Sequence, residues 1–163
     1  MTRRDCIAAL AALPACVLRA SGSELVSIDE QAFRRMVAGH HGKVLLIDFW
    51  ATWCGGCREE MPKLVDLHSS APPQNAFDFV TISCDEPEQS ADALSFLTQH
   101  RAPGPYYLKR ANNDDQFINA IDPKWSGALP ALFLFDRNGR KANSFIGETD
   151  MKVLKASIQK LLG

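Results

Sequence analysis

The sequence predicts a single-domain α/β protein, and three observations support this. Residues 43–50 contain a nearly continuous apolar run, which is typical of a strand buried on both faces in a parallel sheet. Residues 77–83 and 129–135 predict two further strands, and segments with helical periodicity lie between the strands. The chain has 163 residues, 46% of them hydrophobic, which is enough for one core and too few for two domains.

Residues 1–22 indicate an export signal ahead of a domain at residues 23–163. The segment has a basic start at residues 3–4, an apolar run of small residues at 6–18 and a plausible processed junction at 20–23. The apolar run is too short to cross a membrane as a helix, which takes about 20 residues. This segment places the mature domain outside the cytoplasm, in the periplasm or an equivalent compartment.

The type of signal stays open. Residues 2–7 are similar to a twin-arginine export signal. Residues 13–16 are loosely similar to a lipoprotein signal, in which Cys16 would carry a lipid anchor. A further alternative is an ordinary N-terminal helix of the domain itself.

The domain is expected to begin with a short edge strand and a helix. Residues 25–27 predict the strand, and Ser27 followed three residues later by Glu30 fits a capping box at the start of the helix. The helix is expected to end at Gly39. Its inward residues would be Phe33, Met36 and Val37.

The central strand leads into a helix whose first turn carries Cys54 and Cys57. Residues three apart on a helix lie roughly 5–6 Å apart, within the roughly 4.4–6.8 Å Cα separation of a disulfide. The pair can therefore open and close without refolding the chain. Free N–H groups at the helix start favour a thiolate at Cys54, and Cys57 would lie one turn deeper. This predicts an attacking thiol at Cys54 and a resolving thiol at Cys57.

Asp48 is a carboxylate within the apolar central strand. Burial of an unpaired carboxylate is costly, so desolvation should raise the pKa of Asp48. The alternative is that the end of the strand lets the side chain reach water.

The next part of the chain predicts a helix, a loop and a strand. The helix is expected to cover residues 58–68 and to bend at Pro62. A loop over 69–76 precedes the strand at 77–83. Cys84, directly after that strand, is expected to be a buried small apolar side chain.

The rest of the chain predicts two more helices, two strands and a closing helix. Residues 87–100 predict a helix, residues 106–109 a short strand and residues 112–121 another helix. After the strand at 129–135, an Asn-Gly turn and residues 141–146 predict a hairpin. In the helix over 87–100 the inward residues would be Ala91, Leu94 and Leu97. A last helix is expected over 150–162, and its inward residues would be Val153, Leu154, Ile158, Leu161 and Leu162.

Charge and cysteine content exclude some classes of protein. The chain has 18 Lys plus Arg against 19 Asp plus Glu, and this net charge of −1 gives no indication of a basic surface that would bind nucleic acid. Of five cysteines, Cys6 and Cys16 fall in the N-terminal segment and Cys84 stands alone. One close pair is too little for a small domain stabilised by several disulfides.

Residues 48–57, D-F-W-A-T-W-C-G-G-C, together with Pro62 and a strand-opening Pro130, resemble the thioredoxin superfamily. The resemblance covers about residues 24–163. It implies a thioredoxin fold, with a central mixed sheet flanked by helices, in which Pro130 is cis and lies against the cysteine pair. Sequence alone says only that a proline opens a strand, a position that sheets tolerate.

The chain is similar to the exported TlpA/ResA group of thiol–disulfide reductases, which includes those of cytochrome c maturation. The similarity lies in residues 49–54, in the export signal and in the long interval before Pro130, which predicts an added βα unit around residues 106–121. Gly55 and Gly56 stand where many of that group have a proline between the cysteines. Asp48 resembles the buried acid of thioredoxin, at a position often uncharged in the exported group.

The resemblance implies a protein-disulfide oxidoreductase that acts as a reductase, without a cofactor, on disulfides or dithiols of partner proteins. Its electrons would come from a membrane donor. Cys54 would attack and Cys57 resolve, while Asp48 would take the proton of Cys57. The partner groove would be formed by Trp50, Trp53 and Pro130.

Two other functions use the same cysteine pair. A Cu(I)-binding or delivery protein is chemically reasonable because soft thiolates select Cu(I), whereas two thiolates supply only half of a tetrahedral zinc site. A peroxidase on this fold would need a threonine three residues before the nucleophile, and residue 51 is alanine.

Overall fold

A computed structural model describes residues 24–71 and 77–163. The export signal expected at residues 1–22 lies outside the described residues. The strands are β1 (Leu25–Ile28), β2 (Val44–Trp50), β3 (Phe77–Ser83), β4 (Tyr106–Lys109), β5 (Ala131–Phe135) and β6 (Lys141–Ile146). The helices are α1 (Glu30–Gly39), α2 (Gly55–Ser69), α3 (Ser90–Gln99), α4 (Asp114–Ile121) and α5 (Met151–Leu162), with a single 3-10 turn, Pro87–Gln89, before α3.

The strands form one mixed sheet in the order β1-β4-β3-β2-β5-β6. β1, β4, β3 and β2 run parallel, whereas β5 is antiparallel to both β2 and β6. β2 pairs with β3 along its whole length, and all seven of its residues are buried. The predicted α/β fold with a central mixed sheet is therefore confirmed, and the predicted apolar strand lies at its centre.

Helices cover both faces of the sheet. Along β2, Leu46 and Trp50 pack in the core under α2, α3 and α5, whereas Ile47 and Phe49 pack in the core under α1 and α4. Because side chains alternate along a strand, Asp48 lies on the face of Leu46 and Trp50. Cys54 and Cys57 belong to the core on that same face. The sheet thus places the carboxylate on the side of the two thiols.

The predicted start of α1 is wrong by two residues. The N-cap is Asp29, whose side chain accepts a hydrogen bond from the Ala32 N–H at 2.7 Å. Ser27 cannot serve as the cap because it is still part of β1, paired with Leu108 of β4. The predicted inward side of α1, with Phe33, Met36 and Val37, is confirmed.

Two predicted inward residues lie on the solvent side of their helices. In α3 the buried residues are Ala93 and Leu97, and Ala91 is exposed because it lies two residues from Ala93, on the opposite side of the helix. In α5 the buried residues are Leu154 and Ile158, and Val153 is exposed. Leu94, Leu161 and Leu162 are partly buried against the core as expected.

β4 and α4 occupy the interval in which an added βα unit is expected. β4 lies between β1 and β3, and α4 adds Phe117 and Ile121 to the core under α1. That the unit is an insertion stays a prediction.

No helix of residues 24–71 or 77–163 combines the length and the apolar composition needed to cross a bilayer.

Candidate active site

The cysteine pair lies where the central strand passes into α2. β2 ends at Trp50, and a tight turn follows in which the Cys54 N–H donates to the Ala51 carbonyl at 3.1 Å. Cys54 is the N-cap of α2. Its sulfur therefore lies near the first backbone N–H groups of the helix, which have no carbonyl partner within the helix. The predicted strand-to-helix arrangement is confirmed.

Cys54 and Cys57 form a disulfide. Their sulfurs are 1.99 Å apart and their Cα atoms 5.3 Å apart. The Cys57 N–H points at the Cys54 sulfur from 3.2 Å. Cys54 is 8% exposed and Cys57 2% exposed. After reduction, the N–H and the helix N-terminus would both stabilise a thiolate on Cys54, the more accessible sulfur of the two.

Asp48 is 1% exposed, so the alternative that it reaches water is wrong. Neither of its carboxylate oxygens has a hydrogen-bond partner among the described residues. Burial raises the pKa of Asp48 well above its ordinary value, and the negative charge of Glu60 raises it further. The carboxyl group can therefore hold a proton in a pH range where an exposed aspartate is ionised.

Glu60 is a second buried carboxylate that the sequence analysis missed. It follows Cys57 by three residues on α2, which places it on the same side of the helix. Burial raises the pKa of Glu60, and neither of its carboxylate oxygens has a hydrogen-bond partner among the described residues. The signal available in the sequence was the i, i+3 spacing from Cys57, which points a side chain toward the sheet.

Pro130 lies beside the first turn of α2. The peptide bond before it is cis and the proline is buried. A Cβ atom on Gly56 would meet the Pro130 ring carbon Cδ at 3.7 Å, whereas a Cβ on Gly55 would meet nothing within 4 Å. Gly56 and Pro130 border a cleft of about 120 Å³, which Glu60, Lys63, Glu148 and Thr149 also line.

The two tryptophans expected in the partner groove differ in exposure. Trp53 is 64% exposed beside the disulfide and is available to a partner. Trp50 is fully buried, and its ring packs on Phe96 with centroids 5.1 Å apart. The expectation that Trp50 presents a face to a partner is therefore corrected, because alternation along β2 turns its side chain into the core.

A second group of polar residues holds the turn before Cys54. Asp85, in the loop after β3, accepts hydrogen bonds from Thr52 and Ser83. Sequence reasoning did not single out Asp85, because it is distant from the cysteines along the chain.

Among residues 24–71 and 77–163, no group of three or more His, Cys, Asp or Glu side chains could hold a metal ion.

The fold and the site define a thioredoxin-fold protein with a Cys-x-x-Cys pair at the start of a helix. The chain belongs to the AhpC/TSA family, whose model matches residues 24–140. That match covers β1 to the β5–β6 turn and includes both cysteines, Asp48 and Pro130.

Relatives from two bacteria have names that describe disulfide chemistry. The chain is 28% identical over 120 residues to the thiol-disulfide oxidoreductase ResA of Bacillus cereus, and the match covers 74% of this chain and 64% of that protein. It is 28% identical over 138 residues to the thiol:disulfide interchange protein DsbE of Pseudomonas aeruginosa, with 85% and 70% covered. The chain thus spans less than two thirds of the length of the Bacillus cereus relative.

Solved structures show the same fold. A thiol:disulfide interchange protein of the thioredoxin family from Chlorobium tepidum superposes with a TM-score of 0.60 at 22% identity. The superposition covers 77% of this chain and 84% of that chain. The predicted thioredoxin fold is therefore confirmed.

Proposed function

We propose that this protein is a thiol–disulfide oxidoreductase that reduces disulfides of partner proteins outside the cytoplasm. The observation that carries the proposal is the Cys54–Cys57 disulfide at the N-terminus of α2, with the Cys57 N–H directed at the Cys54 sulfur. The names of the relatives in Bacillus cereus and Pseudomonas aeruginosa support it.

The reaction exchanges one disulfide for another. The Cys54 thiolate attacks one sulfur of the partner disulfide, which forms a mixed disulfide and releases the other partner sulfur as a thiolate. The Cys57 thiolate then attacks the Cys54 sulfur, which closes the Cys54–Cys57 bond and releases the second partner thiolate. Two electrons pass from the protein to the partner, and the partner thiolates take up protons.

Asp48 is the proposed acceptor of the Cys57 proton. Cys57 is the less exposed of the two sulfurs, and Asp48 lies on its side of the sheet. A base acts best when its pKa is near the working pH, and burial moves the pKa of Asp48 in that direction. Removal of the proton makes Cys57 a nucleophile at the moment when the mixed disulfide must be resolved.

The partner would dock over Trp53, Gly56 and Pro130. Trp53 offers exposed aromatic area, and Gly56 and Pro130 both line the adjacent cleft. Trp50 is left out of this surface because it is buried.

Location and electron supply belong to the same proposal. The features of residues 1–22 favour export, with Cys16 as the site of a lipid anchor if the signal is of the lipoprotein type. A reductase outside the cytoplasm needs to be reduced again after each turnover, so we propose a membrane electron donor as the second partner.

The test is reduction of insulin disulfides by dithiothreitol, with the full chain as catalyst and Cys54→Ser as the control. Catalysis by the wild type and none by the variant supports the proposal. Titration of the Cys54–Cys57 pair against a glutathione or dithiothreitol couple then decides direction, because a strongly negative potential favours reduction of partners. Negligible insulin reduction together with tight Cu(I) binding would favour the copper-binding alternative.

A further inference from the structure

We propose that Asp85 is a positioning residue of this reaction, because it anchors the turn that presents Trp53 and Cys54 to the partner protein. The inference rests on the proposed function. It concerns a side chain that lies in the loop after β3, more than 25 residues from either cysteine along the chain.

Three donors converge on the Asp85 carboxylate. The Thr52 hydroxyl donates to Oδ1 at 2.7 Å, and the Thr52 backbone N–H is shared between Oδ1 at 3.0 Å and Oδ2 at 3.1 Å. The Ser83 hydroxyl donates to Oδ2 at 2.7 Å and accepts from the Asp85 N–H at 3.1 Å. Both the backbone and the side chain of Thr52 are therefore bound to one carboxylate.

The anchor lies in a rigid part of the protein. Asp85 is 2% exposed, and Ser83 is fully buried at the end of β3, where it pairs with Trp50 of β2. The Cys84 N–H also donates to the Trp50 carbonyl at 2.7 Å, which extends the contact between the two chain segments past the end of the sheet. These hydrogen bonds form out of water, where a hydrogen bond is electrostatically stronger than in solvent.

The turn anchored by Asp85 determines the positions of Trp53 and Cys54. Thr52 is followed directly by Trp53 and Cys54, and the turn closes with the Cys54 N–H on the Ala51 carbonyl. Trp53 is largely exposed, so its own packing does little to fix it. Loss of the Asp85 bonds would free the backbone at Thr52 and let Trp53 take many orientations. A partner protein would then meet a less ordered surface around the Cys54 sulfur.

This role predicts a difference between large and small substrates. The Asp85→Ala variant should lower kcat/KM for a protein disulfide such as insulin by about 10-fold, because misplacement of reacting groups by about 1 Å can cost as much as about 100-fold. The rate constant with oxidised glutathione should change by less than about 3-fold, because a small disulfide needs the Cys54 sulfur and little of the surface around it.

Two further variants separate positioning from general stability. Asp85→Asn keeps one oxygen for Thr52 and an amide that can donate to Ser83 Oγ, so it should recover most of the insulin activity. Asp136→Ala is the matched control, because Asp136 likewise accepts backbone N–H groups, from Asn138 and Arg140, in the turn between β5 and β6. That turn follows Phe135, which pairs with Leu45 near the start of β2, at the opposite end of the strand from Trp50.

The measurements are steady-state insulin reduction and stopped-flow reaction of the reduced protein with oxidised glutathione, at a temperature where every variant is folded. If Asp85→Ala is not folded, the Thr52→Val variant replaces it, because this change removes only the hydroxyl donor. It should likewise lower the rate with insulin more than the rate with oxidised glutathione. Equal losses with insulin and glutathione, an unchanged insulin rate, or the same loss in Asp136→Ala would each overturn the inference. Failure of the wild type to reduce insulin would instead overturn the proposed function.

Discussion

Glu60 and Asp48 are two buried carboxylates on the side of the sheet that holds the disulfide, and the charge of Glu60 raises the pKa of Asp48. One comes from α2, a turn beyond Cys57, and the other from the centre of β2. The interaction links the proposed base of the reaction to the helix that carries the thiols. A substitution of Glu60, which lies outside β2, should therefore change the pKa of Asp48.

Replacement of Glu60 by glutamine should lower the pKa of Asp48, because the like charge that disfavours ionisation is removed. The pKa can be followed by the infrared band of the protonated carboxyl group in the oxidised protein. Glu59→Gln, at an exposed neighbouring position on α2, is the control. An Asp48 titration that does not move in Glu60→Gln, or that moves equally in both variants, would contradict the interaction.

The Asp48→Asn variant should be more stable than the wild type at neutral pH. Because the folded pKa of Asp48 is raised, its contribution to stability is fully present below the unfolded pKa of about 3.9 and is lost as pH rises toward the folded pKa. Asparagine does not ionise, so the gain should be absent near pH 3 and should grow as pH rises from the unfolded pKa through the folded pKa.

Urea unfolding of the oxidised protein at several pH values measures this gain, with Asp66→Asn on the exposed side of α2 as the control. A difference between wild type and Asp48→Asn that stays constant from pH 3 to pH 8 would show that the pKa of Asp48 is the same in the folded and the unfolded protein, and would contradict the raised pKa. The same variant should reduce insulin more slowly near neutral pH, because Cys57 has lost its proposed proton acceptor.

Cys57→Ser should accumulate a mixed disulfide with a partner protein, whereas Cys54→Ser should accumulate little. The reason is that Cys54 is the more exposed sulfur and receives the Cys57 N–H, whereas in the proposed mechanism Cys57 acts only inside the complex. Non-reducing electrophoresis followed by mass spectrometry of the trapped species measures both. Equal trapping by the two variants would show that the assigned roles of attacking and resolving thiol are wrong.

Trp53→Ala should raise KM for insulin about 3- to 10-fold with little change in the free energy of unfolding. Trp53 is 64% exposed, so its removal costs docking area and little core packing. Val153→Ala provides the control, because Val153 is 53% exposed on α5. A fall in stability of several kcal/mol would mean that Trp53 belongs to the fold, and an unchanged KM would mean that it is not part of the partner surface.

Cys84 should resist alkylation in the folded protein. Burial raises the pKa of its thiol to about 12, so at pH 8 almost none of the reactive thiolate is present. Iodoacetamide should label Cys84 at least about 100-fold more slowly than Cys54 of the reduced protein, and at comparable rates in strong denaturant. Cys84 is partly buried rather than fully buried as predicted. Peptide mass spectrometry distinguishes the sites, and rapid native labelling of Cys84 would contradict the raised pKa of its thiol.

Local patterns predicted the fold and the centre of the site well. The apolar run of β2, the Asn-Gly hairpin and the Cys54–Cys57 spacing each depend on residues close together in the chain, and all three are found in the structure. The burial of Asp48 was predictable for the same reason, since its strand neighbours are apolar. The capping residue of α1 was missed because β1 runs one residue further than predicted, to Ile28, so that Ser27 stays in the strand and Asp29 becomes the cap.

Long-range contacts account for what the sequence did not reveal. Asp85 reaches Thr52 only because β3 pairs with β2 in a register that brings their ends together. Thr149 approaches Glu60 only after β6 returns the chain to the start of α2. Trp50 was assigned to the surface from its place in the motif, whereas the alternation of side chains along β2 sends it into the core.

Gly55 and Gly56 both have negative backbone φ angles, and neither position needs a glycine for space. A Cβ at Gly55 would meet nothing, and one at Gly56 would make only ordinary contact with Pro130. The dipeptide between the thiols can therefore change by single mutations that leave the sheet, the helix and the proline in place. The surroundings of the two sulfurs can thus be changed at these two positions independently of the ability of the chain to fold.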